Sequence, residues 1–380
     1  MKAMKINKHI LFISRLVVGL TFIFSGFVKA VDPVGTMIKI NEYFIAFNIT
    51  WLEPLSLFFA IILCIYEFPL GIAIIAGAKG RLMSWLLFLI MVPFTIITLY
   101  IAVADPVSDC GCFGDAVKLS NWGTFYKNVV LLFLTLLILL GRKQIKPMYK
   151  CCSEWATITY SSVFIFLIIL YGIIYEPMLD FRPYKKGNDI EALMKIPEGA
   201  HGDIYETILV YKNTETDKIK EFDIENIPMD DKWEWQETRN KLIKKGAEPK
   251  IKDFRLSDST GKDVTVQFLD QSGYKLLVVQ HRLDKTKLKA QQKLNDLYPK
   301  LVEDGYVKFY AVTSSLPTDI EQYIENHNVP YHFLSADVVT LETIVRSNPG
   351  LILFKDNVVV KKWPFRCMPS YDKINKIVFR

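Results

Sequence analysis

The most chemically pointed stretch of this 380-residue sequence is Asp109-Cys110-Gly111-Cys112-Phe113-Gly114-Asp115, two thiols separated by one glycine. An extended i, i+2 pair would hold its Cα atoms ~6.6 Å apart, near the upper limit for a disulfide. A bridge therefore needs a turn, which Gly111 permits through its freedom in φ. So small a ring would be strained, and strained disulfides exchange readily. Closing it contributes little chain entropy, which favours a redox couple over a structural staple. Asp109 and Asp115 are expected to raise the thiol pKa by like-charge repulsion. A structural bridge and a metal site are the competing readings. With no histidine in the loop, two ligands make an incomplete site and no metal is expected.

Glu67 is the second candidate, because it interrupts a long apolar run. An ionisable side chain at that depth in a membrane costs ~2.5–3.5 kcal/mol on insertion scales, and such residues usually face the bundle interior and pair. Arg15, in the preceding run, is the candidate partner. The functional reading makes Glu67 a proton acceptor and places Arg15 and Glu67 beside a quinone ring. The competing reading is a structural carboxyl. Lys29 and Lys127 read as snorkelling anchors, Cys64 as packing, and Cys151 and Cys152 as reduced thiols without a role.

These residues need a membrane scaffold, and the composition supplies one. Hydrophobic residues make up 51% of the chain and charged ones 23%, with a mean hydropathy of +0.21. The long apolar runs fall before Asp180. A formal charge of 46 − 40 = +6 is too mild and dispersed for nucleic acid. Six cysteines do not make a disulfide framework. Five segments approach the ~20 apolar residues that cross a bilayer: Ile10–Val31, Leu55–Ala76, Trp85–Ala104, Phe125–Leu140 and Thr157–Tyr175. The first also fits a signal peptide, but Ser25-Gly26-Phe27-Val28-Lys29 is a poor cleavage site, so a retained helix is expected. Basic residues concentrate before the first run, at Lys79 and Arg81, and at Arg142–Lys150, while the alternate loops are acidic. By the positive-inside rule the N-terminus is cytoplasmic, and everything after Tyr175 is periplasmic, as is the cysteine loop. Gly19, Ser25, Gly26, Gly71, Ala73 and Ala76 suit close helix contact.

Arg15-Leu16-Val17-Val18-Gly19, Phe22–Lys29 with Asp32-Pro33, Glu67 with Gly71, and the Cys-Gly-Cys loop together resemble the DoxX/MauE group of small membrane proteins, the methylamine-utilisation MauE type above all. The fuller chain is similar to DoxX family proteins of Bacteroidetes. The resemblance covers residues 10–141. It implies a four-helix bundle in the cell inner membrane and an association with quinone-linked oxidation or with maturation of disulfide-rich periplasmic proteins.

The later half reads as soluble. Arg182–Gly187 is a linker, and 188–248 a small β-rich insert with a hairpin over Tyr205–Tyr211 and Lys218–Phe222. Further on, Phe254–Ser257 and Val264–Phe268 suggest another hairpin. Strands at Lys275–Gln280, Val307–Thr313, Leu351–Lys355 and Val358–Trp363 alternate with helices at Lys285–Leu301 and Asp319–His327, the latter capped by Thr318 or Asp319. This order resembles a thioredoxin-like fold in which Pro349 matches the cis-proline of the substrate groove. Where such domains carry Cys-x-x-Cys, the chain reads Gln280-His281-Arg282-Leu283, with His281 expected at the surface and Cys367 buried.

The expected architecture is thus a four-helix membrane domain over 1–141, a cytoplasmic loop and fifth helix over 142–180, a linker and insert over 181–249, and a degenerate thioredoxin-like domain over 250–380. The expected function is thiol–disulfide redox chemistry between Cys110/Cys112 and a membrane quinone, with a periplasmic thiol protein as client. A non-catalytic maturation factor and an accessory subunit of a membrane oxidase are the alternatives.

Overall fold

The computed structural model describes residues 6–107, 109–148, 153–196, 199, 204–214, 216–223, 226, 232–244 and 246–379. Cys151 and Cys152 lie outside the described residues. Two compact units emerge. The first holds Met1–Arg182 with Glu342–Leu351 and Trp363–Pro369, and the second holds the remainder.

Five helices of the first unit are long and apolar enough to cross a membrane: α1 (Lys8–Val31), α3 (Ser56–Ala76), α4 (Gly80–Ala104), α5 (Asn121–Leu140) and α6 (Ser153–Ile174). They coincide with the five apolar runs, because in hydrocarbon only a helix satisfies every backbone polar group within its own segment. Their ends are chemically marked. Asn7 caps α1 by accepting from the His9 amide, and Ser120 caps α5 by accepting from Gly123. The last-turn carbonyls of α3, orphaned by helix geometry, accept from the Arg15 guanidinium at 2.8 Å (Ile74) and 2.7 Å (Ile75).

One helix was not expected. α2 (Pro33–Ala46) follows α1 directly, with Asp32 accepting from the Gly35 amide and Pro33 in the first turn. Its signal was present as Asp-Pro, an N-cap followed by a residue preset for the first helical position.

Glycine sets the spacing of α1 and α3. A Cβ added at Gly71 would stand 2.6 Å from the Gly19 carbonyl oxygen and 2.8 Å from the Ile23 amide nitrogen, and one at Gly26 would stand 2.7 Å from the Phe68 nitrogen. These obstacles are backbone and cannot rotate away, so the helices touch main chain to main chain. A second link joins α4 and α5, where Asn128 Nδ2 donates to Thr98 Oγ1 at 3.2 Å.

Beyond these helices and the short α7 (Ile190–Met194), a three-stranded antiparallel sheet is built in the order β2 (Ile219–Asp223), β1 (Ile204–Asn213), β3 (Trp233–Lys244). The β1/β2 hairpin is the one expected. Trp233 packs its ring on Phe222 at 5.2 Å, while Trp235 is exposed.

A five-stranded sheet follows, with β4 (Tyr274–Gln280) central, flanked on one side by β5 (Val307–Thr313) and β6 (Phe333–Ser335), and on the other by β7 (Gly350–Lys355) and β8 (Val358–Pro364). β4, β5 and β6 are parallel, pairing Val278 with Ala311 and Ala311 with Phe333. Their crossovers run through α9 (Leu288–Asp304) and α10 (Pro317–His327). β7 and β8 meet across the turn Asp356–Asn357. The order is thioredoxin-like, and the Asn348-Pro349 peptide before β7 is cis.

Four expectations fail here. Phe254–Phe268 is not a strand hairpin: Ser257 makes single bridges to Asp263 and Ser335, and Thr265–Leu269 is a short helix, α8. The Thr265 hydroxyl competes with strand pairing by accepting from the Leu256 amide at 2.8 Å. α10 is not capped by Thr318 or Asp319; its cap position is Leu316, with Pro317 starting the helix. Cys367 is exposed, and His281 is buried with its carbonyl accepting from the Ser314 amide at 3.1 Å. Arg182, at the start of the expected linker, is buried and bonded to Asp180 at 2.7 Å and Glu176 at 2.9 Å.

Lys275 is a buried cation at the start of β4, donating to the Phe268 carbonyl at 2.9 Å and Asn357 Oδ1 at 2.7 Å. Burial pushes its pKa down to about 8. The unfolded chain then holds more protons than the folded one between pH 8 and 10.5, so this group makes stability rise with pH across that window. Lys275→Met removes that increment, measurable as a smaller rise in melting temperature than the parent shows over the same pH range. In the bundle, Gly71→Ala forces α1 from α3 and lowers the detergent-solubilised melting temperature, at a cost of about 1–3 kcal/mol. An unchanged melt would contradict the close approach.

Candidate functional site

The loop between α4 and α5 is folded by its own side chains. The Gly111 amide donates to Asp109 Oδ1 at 3.0 Å, Gly111 sits at φ +62°, and the Gly114 amide donates to the Gly111 carbonyl at 3.0 Å. Glycine is required, since a left-handed residue here would strain any other side chain and a Cβ would meet Lys39 Cγ at 3.0 Å. The turn places Cys110 and Cys112 within hydrogen-bonding distance of each other. Both are free thiols, Cys110 buried and Cys112 partly exposed. α2 closes over the loop: the Tyr43 hydroxyl donates to the Cys110 carbonyl, and Lys39 Nζ lies 3.5 Å from Asp109 Oδ2.

The two sulfurs are electrically unequal. Cys112 is pushed down to about 6 by the hydrogen bond it receives from Cys110, with burial opposing and the Lys127 and Lys29 cations adding to the drop. Cys110 is pushed up by giving that bond and by burial. The expectation that Asp109 and Asp115 raise both pKa values is therefore corrected. Their charges are met elsewhere, Asp109 by Lys39 and Asp115 by Lys118 at 3.7 Å and Arg346 at 4.0 Å.

Behind Cys112 lies the buried carboxylate. Glu67 is 2% exposed and Lys29 5%. Lys29 Nζ is 2.8 Å from both Glu67 oxygens and 2.8 Å from Ser25 Oγ. Ser25 Oγ in turn lies 2.8 Å from Glu67 Oε2 and 2.9 Å from the Cys112 carbonyl oxygen. Glu67 thus pairs with Lys29 and not with Arg15, which is committed to the far end of α3. Lys29 is no snorkelling anchor: its ammonium turns inward to the carboxylate. Lys127 Nζ stands 4.3 Å from the Phe113 ring centroid. Cys64 is fully buried packing, as expected.

A cavity of about 30 Å³ opens here, lined by Ser25, Lys29, Glu67, Cys112, Lys127 and Asn128 against aromatic walls. Arg15 is not among its lining residues. The sequence reading missed Ser25, Lys29 and Asn128. Ser25 and Lys29 stand at i, i+4 on α1, a helical spacing that puts both on Glu67's side.

Pro349 is cis, as the resemblance implied. Its neighbours belong to the first unit. Arg346 donates to Asp32 at 2.7 Å, and the Arg346 and Ser347 amides donate to Glu176 Oε1 at 3.0 and 3.1 Å. Burial alone would raise the Asp32 carboxyl, but Arg346 and Arg182 hold it below the usual range. At the expected dithiol position, Gln280 Nε2 donates to Gln291 Oε1 at 3.0 Å, and Gln291 Nε2 to the Tyr331 hydroxyl at 2.8 Å. An amide network fills the place where the resemblance puts Cys-x-x-Cys.

Residues 7–141 match the family model for methylamine utilisation protein MauE, and residues 205–245 match a domain of unknown function. No curated protein matches the chain. Among solved structures, a thiol peroxidase from Chromobacterium violaceum is 17% identical, covering 34% of this chain and 83% of its own, with a TM-score of 0.27. The thioredoxin domain of a thiol-disulfide oxidoreductase from Bacteroides vulgatus is 14% identical over 33% of this chain and 92% of its own, TM-score 0.27. A thiol:disulfide interchange protein from Bacteroides sp. is 19% identical over 33% and 86%, TM-score 0.27.

The thiol asymmetry has a direct readout. Iodoacetamide should alkylate Cys112 at a markedly lower pH than Cys110. Peptide mass spectrometry of the reduced full chain checks this, and equal labelling of the two would refute the asymmetry. Residues 7–141 thus match the MauE family model, in a multi-pass membrane protein whose chain continues into a thioredoxin-like α/β fold.

Proposed function

We propose that the protein is a membrane thiol–disulfide oxidoreductase in which Cys112 is the exchanging thiol and Cys110 the resolving one, acting at the periplasmic face of the inner membrane. The observation that carries this reading is the Gly111 turn, which joins two sulfurs of unequal acidity and leaves the more acidic one partly exposed. The lowered pKa of Cys112 favours its thiolate, the form that attacks a disulfide.

The exchange balances simply. The Cys112 thiolate attacks one sulfur of a client disulfide, forming a mixed disulfide and releasing the other client sulfur as a thiolate. Cys110 loses its proton and attacks Cys112, closing the Cys110–Cys112 bond and freeing the second client thiolate. Two electrons pass from the loop to the client. Run backwards, the same steps oxidise a client dithiol. Lys127 and Lys29 stabilise the Cys112 thiolate, and Glu67 offsets the Lys29 charge so that the ammonium can stay buried.

A membrane quinone remains the acceptor suggested by the sequence resemblance. A second reading, in which the C-terminal domain only binds clients, is favoured by one observation: Gln280 and Gln291 occupy the place of its dithiol.

Incubating the reduced full chain with a peptide disulfide separates the two. Cys110→Ser should accumulate a mixed disulfide at Cys112, and Cys112→Ser should lower exchange by at least tenfold. Client binding that survives both substitutions, with no mixed disulfide trapped, would leave only the binding role.

A further inference from the structure

Closing the Cys110–Cys112 bond without a client requires an oxidant, and the bundle's cavity limits its size. On the same measure a water-sized sphere needs roughly 10–15 Å³. The cavity of about 30 Å³ therefore holds about two oxygen-sized centres. Its lining combines polar and charged groups with apolar walls. Lys29 spends its donors on Ser25 and both Glu67 oxygens. Lys127 faces the same space with its ammonium over Phe113. Asn128 uses its amide nitrogen on Thr98 and keeps its carbonyl oxygen as an acceptor. A cation that donates, an acceptor and a partly exposed thiolate surround a volume that fits a two-oxygen molecule.

We propose that this cavity is a hydroperoxide site, in which hydrogen peroxide oxidises Cys112 and Cys110 then closes the disulfide. The proposal rests on the reading of Cys110 and Cys112 as an exchanging pair and names a small oxidant for it. The Cys112 thiolate attacks one peroxide oxygen. The S–O bond forms, the O–O bond breaks, and the departing hydroxide takes a proton from Lys127, which solvent restores. Cys112 is then a sulfenic acid. The Cys110 sulfur attacks it, the S–O bond breaks as the S–S bond forms, and the second hydroxide leaves with the Cys110 proton. One thiolate, one thiol, one peroxide and one proton give one disulfide and two waters. Lys127 is the residue assigned to the leaving oxygen.

The test uses the reduced full chain in detergent, with exposed Cys367 as the reference thiol on the same molecule. Limiting hydrogen peroxide should oxidise the Cys110/Cys112 pair at least tenfold faster than Cys367, and Cys110→Ser should show a sulfenic acid at Cys112 by dimedone trapping. Cumene hydroperoxide, too large for the cavity, should lose that advantage. Lys127→Met, compared with the parent at equal thiolate fraction from its own alkylation midpoint, should lose it too. If the pair exchanges with a peptide disulfide but reacts with hydrogen peroxide no faster than Cys367, the peroxide site is overturned and the exchange reading stands. If it does neither, both fall.

Discussion

The first unit is organised around one buried ion pair. A lone lysine or glutamate inside an apolar helix bundle would cost several kcal/mol, and breaking such a pair leaves that cost unmet. Lys29 and Glu67 remove it for each other, and every hydrogen on the ammonium has an acceptor. The pairing needs α1 and α3 close enough for a 2.8 Å contact, which the facing glycines allow. Ser25 then carries the pair's polarity to the backbone of the cysteine loop. Charge, helix spacing and loop position are therefore one arrangement, and none can be altered alone.

The C-terminal sheet shows the same economy in reverse. Its strand order is thioredoxin-like, while Gln280 at the end of β4 is bonded into Gln291, Thr286 and Tyr331. Buried amides in a closed network rigidify a core and cannot carry electrons. Within the described residues, closely spaced thiols occur only in the loop between α4 and α5.

Much of the fold was legible because its signals are local. The spans were written as unbroken apolar runs, and β4, β5, β7 and β8 as short runs of Val, Ile, Leu and Phe bounded by turns. The cysteine loop stood out by spacing alone. What stayed hidden depended on register between elements. Arg15 and Lys29 are both basic residues of one helix, and only the crossing of α1 with α3 decides which reaches Glu67. The acidity of Cys112 was misjudged because its nearest charges in sequence, Asp109 and Asp115, are held by Lys118 in the same loop and by Lys39 and Arg346 from distant segments. Phe254–Phe268 failed for a smaller reason: the Thr265 hydroxyl binds the Leu256 amide that a hairpin partner would have used.

Ser25 has one hydroxyl hydrogen and two acceptors within reach, the Glu67 carboxylate and the Cys112 carbonyl. It can serve only one at a time. Whichever it serves, one side chain ties the buried charges to the main chain beside the sulfur, through a single rotating bond and with no helix having to move.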